Sequence, residues 1–157
     1  MERGKINLAN SVYYFTSNFD STNCKVYSAC DCCSENVVFL NERKFITISY
    51  CQGNEGYYKG KYVILDSTLQ LNYESSYVLN EYNWDYELDT TGTVKNQYNI
   101  KKLKCNEHPK RLDIFYCKEN VCLKGGLEDQ EFYGVIDTLQ VEDLIDRMKK
   151  DGIWQNL

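Results

Sequence analysis

The sequence predicts a mainly β fold, an antiparallel up-and-down barrel or curved meander of about eight strands with one C-terminal α-helix. Three observations predict it. Most of the chain alternates apolar and polar residues with a period of two, in short runs rich in Tyr, Val, Ile, Phe and Thr. Only the last segment changes to helical spacing. Strands that follow one another without intervening helices lack the crossovers a parallel sheet needs. The 157 residues suit a single domain, with strands over about 11–124 and the helix over about 140–151.

The first strands are expected at Val12 to Thr16 and Lys25 to Ser28, with the polar Asn18 to Asn23 between them as a loop. Asn36 to Leu40 and Phe45 to Tyr50 fold back on each other through Asn41-Glu42-Arg43-Lys44, which brings Cys51 close to Cys32 and Cys33. Tyr58 to Leu65 and Thr68 to Tyr73 form a hairpin turning at Asp66-Ser67. That turn sets Ile64 opposite Leu69 and Tyr62 opposite Leu71, so one surface of the ribbon is apolar throughout. Val78 to Leu88 alternates Tyr82, Trp84, Tyr86 and Leu88 with Asn83, Asp85 and Glu87 and reads as a long strand with one wet face. Tyr98 to Cys105 and Leu112 to Cys117 follow, and Gly125-Gly126 ends the β region. In the helix, Val141, Leu144, Ile145 and Met148 share one face, with acids at its start and Lys149 and Lys150 at its end, as the helix dipole prefers. Gly152 suits the left-handed position of a Schellman cap that folds Ile153 back onto Met148, and Trp154 packs the tail onto the sheet.

A formal charge of −5 without a long basic run gives nucleic acid no electrostatic footing. No stretch approaches the roughly 20 apolar residues of a membrane helix, so no membrane insertion is expected. Met1 to Lys5 leads into no apolar signal core, so an exported protein would have lost its signal before this start.

Eight cysteines, an even number, point to structural disulfides and an extracytoplasmic location, periplasmic or at the cell surface. A hairpin turning at Glu119-Asn120 would set Cys117 directly opposite Cys122, and this is the most specific pairing, with Cys33 and Cys51 the next candidates. A zinc-stabilised intracellular interaction module is the alternative, with Cys30, Cys33, Cys117 and Cys122 as four thiolates. A Cys30/Cys33 dithiol is a third reading, although the pair does not open a helix in a βαβ unit.

Catalytic signals are sparse. The single histidine, His108, precedes Pro109 in a charged loop, and no Gly-rich phosphate loop precedes a helix. The 23 carboxylates leave a small carboxylate-dependent hydrolase as a second alternative. No cofactor is implied. The 14 tyrosines either fill the barrel or line a ligand site, for which Tyr62, Tyr73, Tyr82, Trp84 and Tyr86 are the candidates. As an exposed stripe, Tyr57, Tyr58, Tyr73, Tyr77, Tyr82 and Tyr86 would instead suit a peptide or glycan.

The segment from Gly60 to Leu71, a Gly-x-Tyr strand turning tightly into a Leu-x-Leu strand, resembles small bacterial lipocalin-like proteins of the calycin type. Val38 to Leu40 and Phe45 to Thr47 fit the strands expected just before it, so the resemblance covers about residues 37–73. It implies an exported up-and-down barrel that often has no known ligand. The Gly-x-Trp signature of typical lipocalins is missing near the first strand, and no ligand residues carry over. The reading is a non-enzymatic, extracytoplasmic, disulfide-stabilised β domain that binds a small apolar ligand, a peptide or a glycan.

Overall fold

A computed structural model describes residues 5–16, 18–27, 33–125, 131–135 and 140–157. Its strands are β1 (Ser11–Thr16), β2 (Asn18–Asp20), β3 (Lys25–Tyr27), β4 (Cys33–Phe39), β5 (Lys44–Cys51) and β6 (Asn54–Leu65). After these come β7 (Thr68–Tyr82), helix α1 (Trp84–Leu88), β8 (Tyr98–Lys104), β9 (Lys110–Cys117), β10 (Asn120–Gly125), β11 (Glu131–Val135) and helix α2 (Val141–Lys150). A 3₁₀ turn, Trp154–Asn156, follows α2.

Eight strands pair antiparallel in the ring β1-β4-β5-β6-β7-β9-β10-β11, which returns to β1. The expected fold class is therefore the observed one. Two pieces are inserted into this meander, the small β2–β3 hairpin and the α1–β8 excursion. The β6–β7 hairpin has the expected register, with Tyr62 opposite Leu71 and Ile64 opposite Leu69. Asp66 takes a φ of 55°, as a two-residue hairpin turn requires.

Period-two alternation divides the apolar residues between two cores. Tyr13, Val37, Phe39, Phe45, Leu69, Leu112 and Leu123 fill the barrel interior, and Leu8 of the N-terminal segment packs with them. Val12, Val38, Ile46, Ile48, Tyr57 and Val78 point outward and are covered by Val141, Leu144, Met148 and Ile153. Helix α2 thus lies against the outside of the barrel. Arg147 pairs with Glu55 at 3.2 Å, and the Tyr57 hydroxyl donates to the same carboxylate. The expected cap is present: Gly152 has a φ of 77°, its N–H donates to the Lys149 carbonyl at 3.2 Å, and the Ile153 N–H donates to Met148 at 2.9 Å. Trp154 packs against the same outer cluster.

Several expectations are corrected. The run from Val78 to Leu88 is not one strand, because Asn83 caps a helical turn by accepting from the Asp85 N–H at 3.2 Å. The strand before it is continuous from Thr68 to Tyr82, and it bends where its register with β6 shifts between Tyr58 and Gly60. Gly125-Gly126 does not end the β region, since β11 follows and closes the ring. Asn18–Asp20, expected in a loop, pairs with Lys25–Tyr27.

The cysteines are also rearranged. The β9–β10 turn falls at Lys118-Glu119, so Cys117 faces Asn120 and Cys122 faces Phe115. Cys117 is bonded to Cys24 instead, with a Cα–Cα distance of 5.6 Å, and Cys122 is a buried free thiol. That disulfide removes Cys117 from the four-thiolate zinc alternative. Among the described residues no group of His, Cys, Asp or Glu side chains could hold a metal ion. Cys33 and Cys51 are register partners at the ends of β4 and β5, and Cys51 is disulfide-bonded. Cys30 and Cys32 lie outside the described residues.

Candidate functional site

One mouth of the barrel is built by a gradient of polarity along two paired strands. In the β4–β5 register Phe39 faces Phe45, Val37 faces Thr47, and Glu35 faces Ser49. The inward row therefore changes from aromatic, to a hydroxyl beside valine, to a carboxylate beside serine as it approaches the mouth. The opposite wall forms where the bent strand β7 leaves the ring. Its first half pairs with β9, but from Ser76 onward it pairs with β8. The connection from β8 back to β9 then carries Glu107, His108 and Pro109 to the rim.

The resulting cavity has a volume of about 390 Å³. Thr47, Tyr58 and Tyr73 line it. Tyr58 stacks on Tyr77 with ring centroids 4.5 Å apart, and the Tyr73 ring meets Phe45 edge-on at 5.4 Å. Lys110 lines the rim, with its ammonium 5.8 Å from the centre of the Phe15 ring. Thr47 is only 4% exposed; its hydroxyl adjoins the Tyr73 phenol but makes no well-aligned hydrogen bond among the described residues. A buried hydroxyl without a well-aligned hydrogen bond is incompletely satisfied, so this one marks a place where a ligand can complete the structure.

The buried phenols, of the mouth and of the two cores, resist ionisation. Burial and the neighbouring Tyr77 and Glu107 push Tyr58 up to about 12. Tyr73 is raised by burial and by Glu35, and Tyr13 and Tyr57 are raised chiefly by burial. A phenol whose folded pKa is raised favours the fold while protonated, and that contribution is lost as pH climbs from the unfolded value of 10 through the folded value. We expect alkaline unfolding to begin above pH 10, with these tyrosines gaining phenolate absorbance only as the fold is lost. A smooth titration of all 14 tyrosines near their ordinary value, with the near-ultraviolet dichroism intact, would contradict this.

The tyrosine and tryptophan candidates separate into three places. Tyr73 lines this mouth. Tyr62 lines a cavity at the other end of the barrel. Tyr82, at the end of β7, has its ring centroid 4.9 Å from that of Trp84, which lies with Tyr86 on α1 and is 61% exposed. Of the proposed stripe, Tyr58 and Tyr77 join Tyr73, whereas Tyr57 packs under α2. His108 is exposed on its loop, as expected.

The barrel is similar in fold to a streptavidin-like protein. That protein is from Bacteroides eggerthii, and its solved structure superposes with a TM-score of 0.58 over 93% of this chain and 91% of its own. At 12% identity the likeness is one of fold alone. No known protein family and no curated protein matches the sequence.

Glu35, Thr47, Ser49 and Glu107 were not among the sequence candidates. A signal for the first three existed in the alternating residues of β4 and β5, whose inward row turns polar in one direction. Glu107 had none, because its place follows from β8 leaving the ring.

Proposed function

We propose that the protein is a non-enzymatic binding barrel that takes a small polyhydroxylated ligand, a glycan fragment, in this mouth. The buried Thr47 hydroxyl, which adjoins the Tyr73 phenol without a well-aligned hydrogen bond, is the observation that carries the reading. Around it, Ser49 donates and accepts, the carboxylates of Glu35 and Glu107 accept from ligand hydroxyls, and the tyrosine rings pack on the apolar faces of a sugar. The interior below is filled by Phe39, Phe45 and Leu71, which favours a polar ligand at the mouth over an apolar guest inside. The Cys24–Cys117 disulfide supports an extracytoplasmic setting, and the likeness of the barrel to a streptavidin-like protein supports a binding role.

The experiment is calorimetric titration of the full chain with glucose, galactose, mannose and N-acetylglucosamine, repeated with Thr47→Val. At least one sugar is expected to bind, and T47V to weaken it roughly tenfold while leaving the melting temperature unchanged or slightly raised. Loss of stability without loss of affinity would assign Thr47 to packing and end the proposal, as would the absence of binding by all four sugars.

A second reading rests on Glu35 and Glu107 lining one polar cavity, the arrangement of a carboxylate-dependent glycoside hydrolase. Release of nitrophenol from the p-nitrophenyl glycosides of the same sugars, abolished in both E35Q and E107Q, would select it.

A further inference from the structure

The end of the barrel opposite the glycan mouth holds a larger cavity, of about 890 Å³. It is bounded by the N-terminal segment before β1, the β4–β5 turn, the β6–β7 turn, and β9. Its walls and its charges are of different kinds. Ile6, Ile64 and Ile114 supply apolar surface, continuous with the barrel core in which Ile114 packs. Lys5 and Arg43 supply two cations, and neither is in an ion pair among the described residues. Of the two carboxylates that also reach the cavity, Glu42 is held by Lys44 at 3.4 Å, which leaves Asp66 against two positive charges.

Tyr62 sits where the apolar wall meets the cations. It is 5% exposed and edge-on to Phe39 at 5.2 Å, yet it reaches the cavity surface. No described residue makes a hydrogen bond to its hydroxyl. The Tyr62 N–H donates to the Arg43 carbonyl at 2.8 Å and both side chains line the cavity; burial raises the phenol and the positive charge of Arg43 pulls it down. A hydroxyl donor open to the cavity beside an unpaired guanidinium suits one acidic group, and the isoleucine walls suit the rest of an amphiphile.

We infer that this cavity is a second binding site, independent of the mouth, for an organic monoanion with an apolar body, whose acidic group is held by Arg43 and Tyr62. The backbone provides a clean test of the charge. Arg43 occupies the left-handed region with a φ of 58°, which asparagine adopts readily, so Arg43→Asn removes the cation without straining the turn. Tyr62→Phe removes only the hydroxyl.

The test titrates the full chain with the fluorescent anion 1-anilinonaphthalene-8-sulfonate and with its uncharged analogue N-phenyl-1-naphthylamine. The anion is expected to bind more tightly than the analogue and to lose about tenfold in affinity in R43N and in Y62F, with the analogue changed less than about twofold. Near-ultraviolet dichroism of each variant, matching the parent, shows that the fold is retained, and Lys5→Gln provides a third variant expected to weaken the anion alone. The proposal is overturned if the anion does not bind, if the analogue binds as tightly, or if R43N and Y62F leave the anion's affinity unchanged.

Discussion

Gly60→Ala is expected to lower stability by more than about 3 kcal/mol, a fall in melting temperature of roughly 10 °C for a chain of this size. Gly60 lies at the β6–β7 irregularity, opposite Tyr73 and Phe45 on the inner face. A Cβ built there would stand 1.9 Å from the Asn72 carbonyl oxygen and 3.0 Å from the Phe45 ring. The first contact is with backbone, so no rotamer change relieves it, and strand β7 itself would have to move. Movement of β7 would carry Tyr73 with it, so sugar binding at the mouth should fall along with stability. Gly56→Ala is the control on the same strand. Its added Cβ would meet only the Tyr58 ring, at 3.1 Å, and a side chain can yield by a few tenths of an ångström. We expect G56A to cost no more than about 1 kcal/mol. Equal melting of G60A and the parent would mean that the two backbones are not in close contact and that the bend in β7 has another origin.

The same bend explains which parts of the molecule were legible in the sequence. Local rules sufficed where one strand meets its sequence neighbour through a two-residue turn, as at Asp66-Ser67, because alternation and turn length together allow one register. They sufficed again at α2, where apolar spacing, end charges and Gly152 agree. They failed where an element is decided by what it packs against. Tyr82, Trp84, Tyr86 and Leu88 alternate as a strand does, but no sheet lies beyond them to bury the aromatic face, and Leu88 is 78% exposed. With no burial to reward extension, the Asn83 cap prevails and the chain turns helical. Strand β11 was hidden behind two glycines that read as a stop, although its pairing with β1 and β10 is what closes the ring.

The mouth was half legible for a similar reason. Phe45, Thr47 and Ser49 stand at alternate positions of one strand, so their shared face follows from the sequence. That this face turns inward, and that Glu107 meets it from another strand pair, depends on the closure of the barrel, which is a non-local property. The β9–β10 turn shows how little separates a correct from an incorrect partner. Moving the turn by one residue, from Glu119-Asn120 to Lys118-Glu119, replaces Cys122 by Asn120 opposite Cys117.

Freed from that partner, Cys117 takes Cys24, and removing the pair should have the other large effect. We expect Cys24→Ser/Cys117→Ser to lose about 2–4 kcal/mol, against an upper limit of about 4–5 kcal/mol from chain entropy for a loop this long. The bond joins residues 93 apart, and the loop it closes contains β4, β5, β6, β7 and β9 of the ring. It therefore restricts most of the unfolded barrel, so its effect should appear in the global transition and not as local fraying of the β2–β3 hairpin. The native geometry gives no reason for a compensating gain. Phe19 of β2 is edge-on to Phe115 of β9 at 5.7 Å, and Val26 of β3 occupies the space beside Gly134, where a Cβ would come within 2.7 Å of it. These contacts hold the hairpin against the barrel without the bond, so the double variant should fold to the same structure and melt earlier. Denaturant unfolding followed by both tryptophan fluorescence and far-ultraviolet dichroism measures the difference. A midpoint within error of the parent, or peptide mapping of unreduced protein that joins Cys117 to Cys122, would refute both the pairing and the register from which it follows.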